Sequence, residues 1–116
     1  MRQQDRDDMD IRTTETNQKT TVTLTGRLDS EGSNELEEWV AANLAPPRQN
    51  MVLDFSQLDY VSSAGLRSIL KISKLVKKHS LRIAICAIQD HVREVFEISG
   101  FDTFIPLYNT ADDCPL

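Results

Sequence analysis

Two neighbouring segments decide how this chain folds: Val52-Leu53-Asp54-Phe55 and, shortly after, Tyr60-Val61-Ser62-Ser63-Ala64-Gly65-Leu66. The first is a near-continuous apolar run, which predicts a central strand with both faces covered. The second predicts a polar loop over residues 56–61 and a helix that begins at Ser62 or Ser63. Two hydroxyl groups therefore lie at a helix start, where unpaired backbone N–H groups point outward and the helix dipole favours negative charge.

Strand-like and helix-like patterns alternate along the rest of the chain. Their order, β-β-α-β-α-β-α-β, favours an α/β fold in which a four- to five-stranded, mostly parallel sheet with an N-terminal hairpin packs against helices. The predicted strands cover residues 9–16, 20–25, 50–55, 81–87 and 104–108. The first and third predicted helices cover residues 31–44 and 91–99, and the second begins at Ser62 or Ser63 and is ended by His79-Ser80.

Residues between these elements predict where the helices begin and end. The chain is expected to leave the sheet over residues 26–30, where Asp29 or Ser30 can cap the first helix. Asp90 is expected to cap the third helix, and Gly100 to end it in a left-handed conformation. The inner stripe of the second helix is predicted to contain Leu66, Ile69, Leu70, Ser73 and Val76.

Length and composition predict one soluble domain. The chain has 116 residues, of which 40% are hydrophobic and 27% charged, so it can form a hydrophobic core. We expect a flexible tail at residues 1–8, a single domain at 9–110 and a short tail at 111–116. A net charge of −5 argues against a nucleic-acid partner. No apolar run is long enough to span a membrane, and we expect residues 1–10 not to act as a secretory signal.

The cysteines predict neither a disulfide scaffold nor a metal site. Cys86 lies in an apolar run and is expected to pack in the core, whereas Cys114 lies close to the last residue. Neither has a second cysteine near it in the sequence. We therefore expect no metal and no cofactor, and a reducing, cytoplasmic location.

A hydrolytic site is a weaker alternative at the same serines. Ser63-Ala64-Gly65 matches the second half of a nucleophile elbow, but Val61 stands where the first glycine belongs. His79, at the far end of the same predicted helix, would lie on the order of 20 Å away. His91 opens another helix, so its distance from Ser63 stays open. We expect no catalytic residue in this chain.

The simplest interpretation of the two serines is that one caps the helix and the other has no structural task. A cap needs one hydroxyl, and the chain offers two. The small residues Ala64 and Gly65 also leave the helix start bare, so another protein could approach it closely. Both interpretations stay open on the residues alone.

Four segments together resemble a known family, the STAS domain, and within it the stand-alone bacterial anti-sigma factor antagonists. The resemblance extends over residues 11–108, and no single segment carries it alone. The four are Thr23-Leu24-Thr25-Gly26-Arg27-Leu28-Asp29, Val52-Leu53-Asp54-Phe55, Tyr60-Val61-Ser62-Ser63-Ala64-Gly65-Leu66 and Val95-Phe96-Glu97-Ile98-Ser99-Gly100-Phe101.

The resemblance implies a regulatory binding protein that works by partner switching. An unphosphorylated antagonist of this family binds an anti-sigma factor, which is also a serine/threonine kinase of the histidine-kinase-like ATPase fold. Phosphorylation separates the two, and a PP2C-type phosphatase reverses it. Ser63 matches the phosphorylated serine, while Ser62, where many members have Asp, is the alternative. The family's C-terminal helix is nearly absent here.

The resemblance also implies a partner surface around the phosphorylated serine. Asp29 and Asp54 match polar positions beside that loop. We expect a monomer when free, with no nucleic acid and no membrane among its partners. The alternative is an unphosphorylated STAS subunit of an assembly such as a lipid-transport ATPase complex. The expected partner-binding residues are Asp29, Asp54, Ser62, Ser63, Ala64, Gly65, Leu66 and Arg67.

Overall fold

A five-stranded sheet and three α-helices make up the described part of the chain, residues 9–116, in a computed structural model. The tail predicted for residues 1–8 lies outside the described residues. The strands are β1 (Asp10–Glu15), β2 (Lys19–Leu28), β3 (Asn50–Val61), β4 (Ile83–Cys86) and β5 (Leu107–Tyr108), and the helices are α1 (Ser30–Asn43), α2 (Ser63–Lys78) and α3 (Asp90–Ser99).

The sheet follows the order of the sequence, β1-β2-β3-β4-β5. β1 and β2 form the predicted antiparallel hairpin, and each later strand is parallel to the one before it. The predicted α/β fold with a mostly parallel sheet is therefore confirmed. Parallel strands end at the same edge, so the carboxyl ends of β2 and β3, and the helix starts that follow them, lie side by side.

The core forms between the sheet and the helices. Alternate residues of β2 are buried, as period-two patterning requires for a strand with one covered face. The inner stripe predicted for α2 is mostly confirmed, but Leu70 is only half-buried and Ile72 is buried in its place. The shift arises because α2 packs against α1 as well as against the sheet.

The prediction of a loop over residues 56–61 is wrong, as is the predicted departure from the sheet at residues 26–30. β2 continues to Leu28, and β3 continues beside it to Val61. Two register shifts, between Thr23 and Thr25 and between Gly26 and Arg27, absorb the extra residues of β3. Such bulges let a strand keep pairing while it bends.

Two predictions at the end of the chain are also wrong. Asp90 is the first residue of α3 rather than its cap, because Gln89 occupies the cap position without a side-chain bond to the helix. The last strand is limited to β5, and residues Phe101–Thr103 form a 3₁₀ turn. Gly100 ends α3 with φ of 78°, as predicted.

The residues after β5 return towards the start of β2. Lys19 Nζ donates a hydrogen bond of 2.9 Å to the main-chain oxygen of Leu116. Cys114, on the same segment, comes close enough to Cys86 to contribute to raising the pKa of its thiol. The extent of the domain and of its terminal tails stays a prediction.

The two thiols are expected to differ sharply in reactivity. Cys86 is 1% exposed, and burial, followed by the charge of Asp54, raises its pKa to about 11. Because the thiolate is the reactive form, a maleimide should modify only Cys114 in the native chain at about pH 7.5. Mass spectrometry of labelled wild type and Cys114→Ser measures this. Rapid double labelling of the native wild type would contradict the buried position of Cys86.

A polar contact joins α1 to α2. The buried Ser68 hydroxyl donates to a carboxylate oxygen of Glu37, and Lys71 Nζ lies 3.2 Å from the other oxygen. The hydrogen bond from Ser68 is the largest influence on the pKa of Glu37 and lowers it. Burial raises this pKa and Lys71 lowers it further, so that it lies below its ordinary value of 4.5. The charged form of Glu37 is therefore favoured by folding.

Replacing Glu37 with glutamine should remove a pH-dependent part of the free energy of unfolding. Because the pKa of Glu37 is lower in the folded chain, its contribution is fully present above its unfolded-state pKa and is lost as the pH falls through the folded-state pKa. Wild type and Glu37→Gln should differ most near neutral pH and converge in acid. Urea unfolding at a series of pH values measures this. Glu38→Gln, an exposed change on the same helix, is the control, and a pH-independent difference would contradict the assignment.

Candidate functional site

Ser62 is the N-cap of α2, and its hydroxyl is fully used by the fold. Ser62 Oγ accepts a hydrogen bond of 3.0 Å from the Gly65 amide and donates one of 3.1 Å to the Leu28 carbonyl. The Ser62 amide donates to the same carbonyl at 2.9 Å. The last residue of β2 therefore fixes the start of α2 through one backbone oxygen.

Ser63, by contrast, is exposed and its hydroxyl has no structural task within the described residues. It is the first residue of α2, and no residue among 9–116 forms a hydrogen bond with its hydroxyl. One serine thus caps the helix and the other is spare, as the simplest interpretation required. A spare, exposed hydroxyl at a helix start is accessible to a modifying enzyme.

Asp29 caps the start of α1 as Ser62 caps the start of α2. Its Oδ1 accepts a hydrogen bond of 2.9 Å from the Gly32 amide, so Asp29, and not Ser30, is the N-cap of α1. Asp29 directly follows Leu28, whose carbonyl holds Ser62. The structure therefore brings Asp29, Ser62 and Ser63 together at one edge of the sheet.

Asp54 is placed elsewhere. It lies in the middle of β3, pairs with Thr23 and Cys86 in the register, and is half-buried. Its Oδ1 accepts a hydrogen bond of 2.9 Å from the Ser56 amide, next to the first bulge. At about 3.3 Å of rise per residue it is on the order of 20 Å from the end of β3. The contribution of Asp54 to a partner surface stays a prediction.

The residues after Ser63 divide into buried and accessible ones. A Cβ on the buried Gly65 would lie 2.6 Å from the Leu28 carbonyl oxygen, so this glycine serves the packing of α2 on β2. Leu66 is buried in the core. Ala64 is half-buried and Arg67 is exposed, so these two side chains can contact a partner.

The second half of β3 is held by a side chain that the sequence did not single out. Gln89 Nε2 donates a hydrogen bond of 2.7 Å to the Leu58 carbonyl, and the ring of His91 bonds to the Asp59 carbonyl at 2.7 Å. Gln89 carries no periodic or motif signal, and the sequence singles out His91 only as a partner of Ser63, so only the tertiary pairing reveals that both hold β3. The bulged strand is thereby fixed on the side away from β2.

Hydrolytic chemistry has no support in this geometry. His79 is the C-cap of α2, at the opposite end of the helix from Ser63, and His91 is bonded to the backbone of β3. Within residues 9–116, no group of three or more His, Cys, Asp or Glu side chains is arranged to bind a metal ion. Over the same residues, no helix combines the length and apolar character that a membrane crossing requires.

Known proteins share this arrangement over most of the chain. A protein of Bordetella bronchiseptica named as a candidate anti-sigma factor antagonist, BtrV, is 39% identical over 89 residues, which is 77% of each chain. The crystal structure of an anti-sigma factor antagonist from Mycobacterium paratuberculosis has a TM-score of 0.82 at 22% identity, over 92% of this chain and 91% of that one.

A second similar structure is that of the Bacillus cell fate determinant SpoIIAA in its phosphorylated form. Its TM-score is 0.68 at 16% identity, over 90% of this chain and 95% of that one. The STAS domain family itself matches residues 9–114. Since this match includes the hairpin, all the parallel strands and both helix starts of the site, the chain belongs to the STAS domain family.

Proposed function

We propose that this chain is an anti-sigma factor antagonist whose binding is switched off by phosphorylation of Ser63. The observation that carries the proposal is the division of tasks between the serines. The Ser62 hydroxyl is bonded both as donor and as acceptor, whereas the Ser63 hydroxyl is bonded to none of residues 9–116. The name of the relative BtrV and the phosphorylated form of SpoIIAA support it. In its unphosphorylated form the chain binds an anti-sigma factor and releases the protein that this factor sequesters.

Electrostatics favour Ser63 over Ser62 as the phosphate acceptor. A phosphate adds roughly −1.5 to −2 charges, and the N-terminus of a helix tolerates such charge. On Ser63 it would extend into solvent and leave the cap intact. On Ser62 it would abolish the hydroxyl's hydrogen bond to Leu28 and crowd the cap bond with Gly65. The domain therefore stays folded when Ser63 is phosphorylated, and the change is confined to its surface.

The chain acts in this scheme as a substrate and a ligand and has no enzymatic activity of its own. Its partners are an anti-sigma factor that is also a serine/threonine kinase of the histidine-kinase-like ATPase fold, and a PP2C-type phosphatase. It acts in the cytoplasm as a monomer when free. A subunit of a lipid-transport ATPase complex is not favoured, because two relatives by sequence, from Bordetella bronchiseptica and Paenibacillus polymyxa, are named as anti-sigma factor antagonists.

Incubation of the purified chain with its cognate kinase and Mg-ATP tests the proposal. Intact-mass and fragment spectra should show one phosphate, on Ser63, and Ser63→Ala should take up none. Ser62→Ala is the matched control, because it should still be phosphorylated while losing about 1 kcal/mol of stability with its cap. A phosphate only on Ser62, or none within residues 62–63, would overturn the proposal.

A further inference from the structure

The pairing of β2 with β3 brings two exposed side chains together just before the start of α2. Arg27 lies opposite Tyr60, and the next pair in the register is Leu28 with Val61. Leu28 is the residue whose carbonyl holds Ser62. The Arg27–Tyr60 pair is therefore one step along both strands from the candidate site.

The second bulge of β3 creates this pair. Gly26 lies opposite Leu58, so an unbroken register would set Arg27 opposite Asp59. The register shift leaves Asp59 without a partner on β2 and places Tyr60 beside Arg27 instead. Bulges of this kind re-aim side chains next to functional sites. Regular strand pairing is thus interrupted at the position where the Arg27 guanidinium contacts the Tyr60 ring.

The Arg27 guanidinium lies over the Tyr60 ring, and both side chains are exposed. Arg27 Cζ lies 4.2 Å from the centroid of the Tyr60 ring, Arg27 is exposed and Tyr60 is 39% exposed. None of the carboxylates in residues 9–116 lies within ion-pair distance of the guanidinium. Contact with the ring restricts the Arg27 side chain, so less of its freedom remains to be lost when its N–H groups bind a partner.

We propose that Arg27 and Tyr60 form a recognition pair beside Ser63 that binds an acidic side chain of the anti-sigma factor. This inference rests on the proposed function. A guanidinium presents parallel N–H donors, which match the two oxygens of a carboxylate. Arg and Tyr are also among the residues most enriched where binding energy concentrates at protein interfaces. The pair sets specificity next to the residue whose phosphorylation ends binding.

Calorimetric titration of the unphosphorylated chain with its cognate anti-sigma factor tests this inference. Arg27→Ala should weaken the affinity about tenfold or more, and Arg27→Glu should weaken it further, because it repels a carboxylate. Arg27→Lys should restore only part of the loss, since an ammonium lacks the planar fork. Tyr60→Phe should bind like the wild type and Tyr60→Ala should not, because the ring face and not the hydroxyl holds the guanidinium.

Arg12→Ala is the matched control, because Arg12 is an exposed arginine on β1 whose ion pair is with Asp10. Its affinity should equal that of the wild type, and thermal unfolding should show every variant folded. Two results would overturn the recognition pair and leave the proposed function standing. The first is an affinity of Arg27→Ala equal to that of the wild type, and the second is an equal loss of affinity in Arg27→Ala and Arg27→Glu. A wild type that does not bind the anti-sigma factor would overturn both.

Discussion

Ser63→Asp is expected to bind the anti-sigma factor at least about a hundredfold more weakly than the wild type, which corresponds to about 2.8 kcal/mol. The added charge lies on an exposed first-turn residue, so the free domain tolerates it. Inside an interface the same charge is desolvated without a partner, and that penalty appears only in the complex. Ser63→Ala should keep the wild-type affinity, since the hydroxyl bonds to no residue among 9–116.

Calorimetry with the two variants measures this difference. Gln18→Glu is the control for charge alone, because Gln18 is exposed in the turn before β2, at the opposite end of that strand from Leu28. Its affinity should be unchanged. Complete switching from about 99% bound to about 1% bound needs about 5.5 kcal/mol, so a single aspartate should reproduce only part of the effect of a phosphate. Equal affinities of Ser63→Asp and Ser63→Ala would argue against a charge switch.

Gly65→Ala is expected to lower both the stability of the domain and the rate at which Ser63 is phosphorylated. The new Cβ would lie 2.6 Å from the Leu28 carbonyl oxygen and 2.9 Å from Val61 Cγ2. Overpacking of this kind costs about 1–3 kcal/mol. Since Leu28 and Val61 end the two paired strands, the clash can be relieved only by moving α2 away from them. That movement displaces Ser62 and Ser63 together.

Gly100→Ala is the control that separates the loss of stability from the slower phosphorylation of Ser63. Gly100 has φ of 78°, and within residues 9–116 no atom beyond its chain neighbours lies within 4 Å of the position that a Cβ would take, so alanine there is strained by its backbone and not by packing. It should lose about 1–2 kcal/mol of stability and keep the wild-type rate of phosphorylation. Urea unfolding and timed intact-mass spectra measure both quantities. Wild-type stability of Gly65→Ala would contradict the close packing of α2 on β2.

The sequence predicted those parts of the fold that depend on local chemistry. The N-terminal hairpin followed from alternating apolar and polar residues. The helix starts, predicted at Asp29 or Ser30 and at Ser62 or Ser63, followed from the residue types that cap helices. Gly100 likewise ended α3 because a left-handed residue was needed there. Each of these signals lies within a few residues of the structure that it determines.

The sequence missed the second half of β3 because its pairing is not local. Ser56, Gln57 and Asp59 are polar and exposed, and such residues predict a loop until the partner strand is known. The bulges and the Arg27–Tyr60 pair depend on the register with β2, which no periodicity in either segment reveals. At the site, the sequence indicated both serines. Which of them is held by the fold could be seen only from the hydrogen bond between Ser62 and the Leu28 carbonyl.

The shared carbonyl of Leu28 also bears on how fast the proposed switch can respond. Both the amide and the hydroxyl of Ser62 are tied to a strand end, so Ser63 is presented by a rigid support and not by a segment that must first become ordered. Binding then requires little ordering of the chain, and release requires no unfolding. The time course of the response would be set by the kinase and the phosphatase, with no delay contributed by this domain.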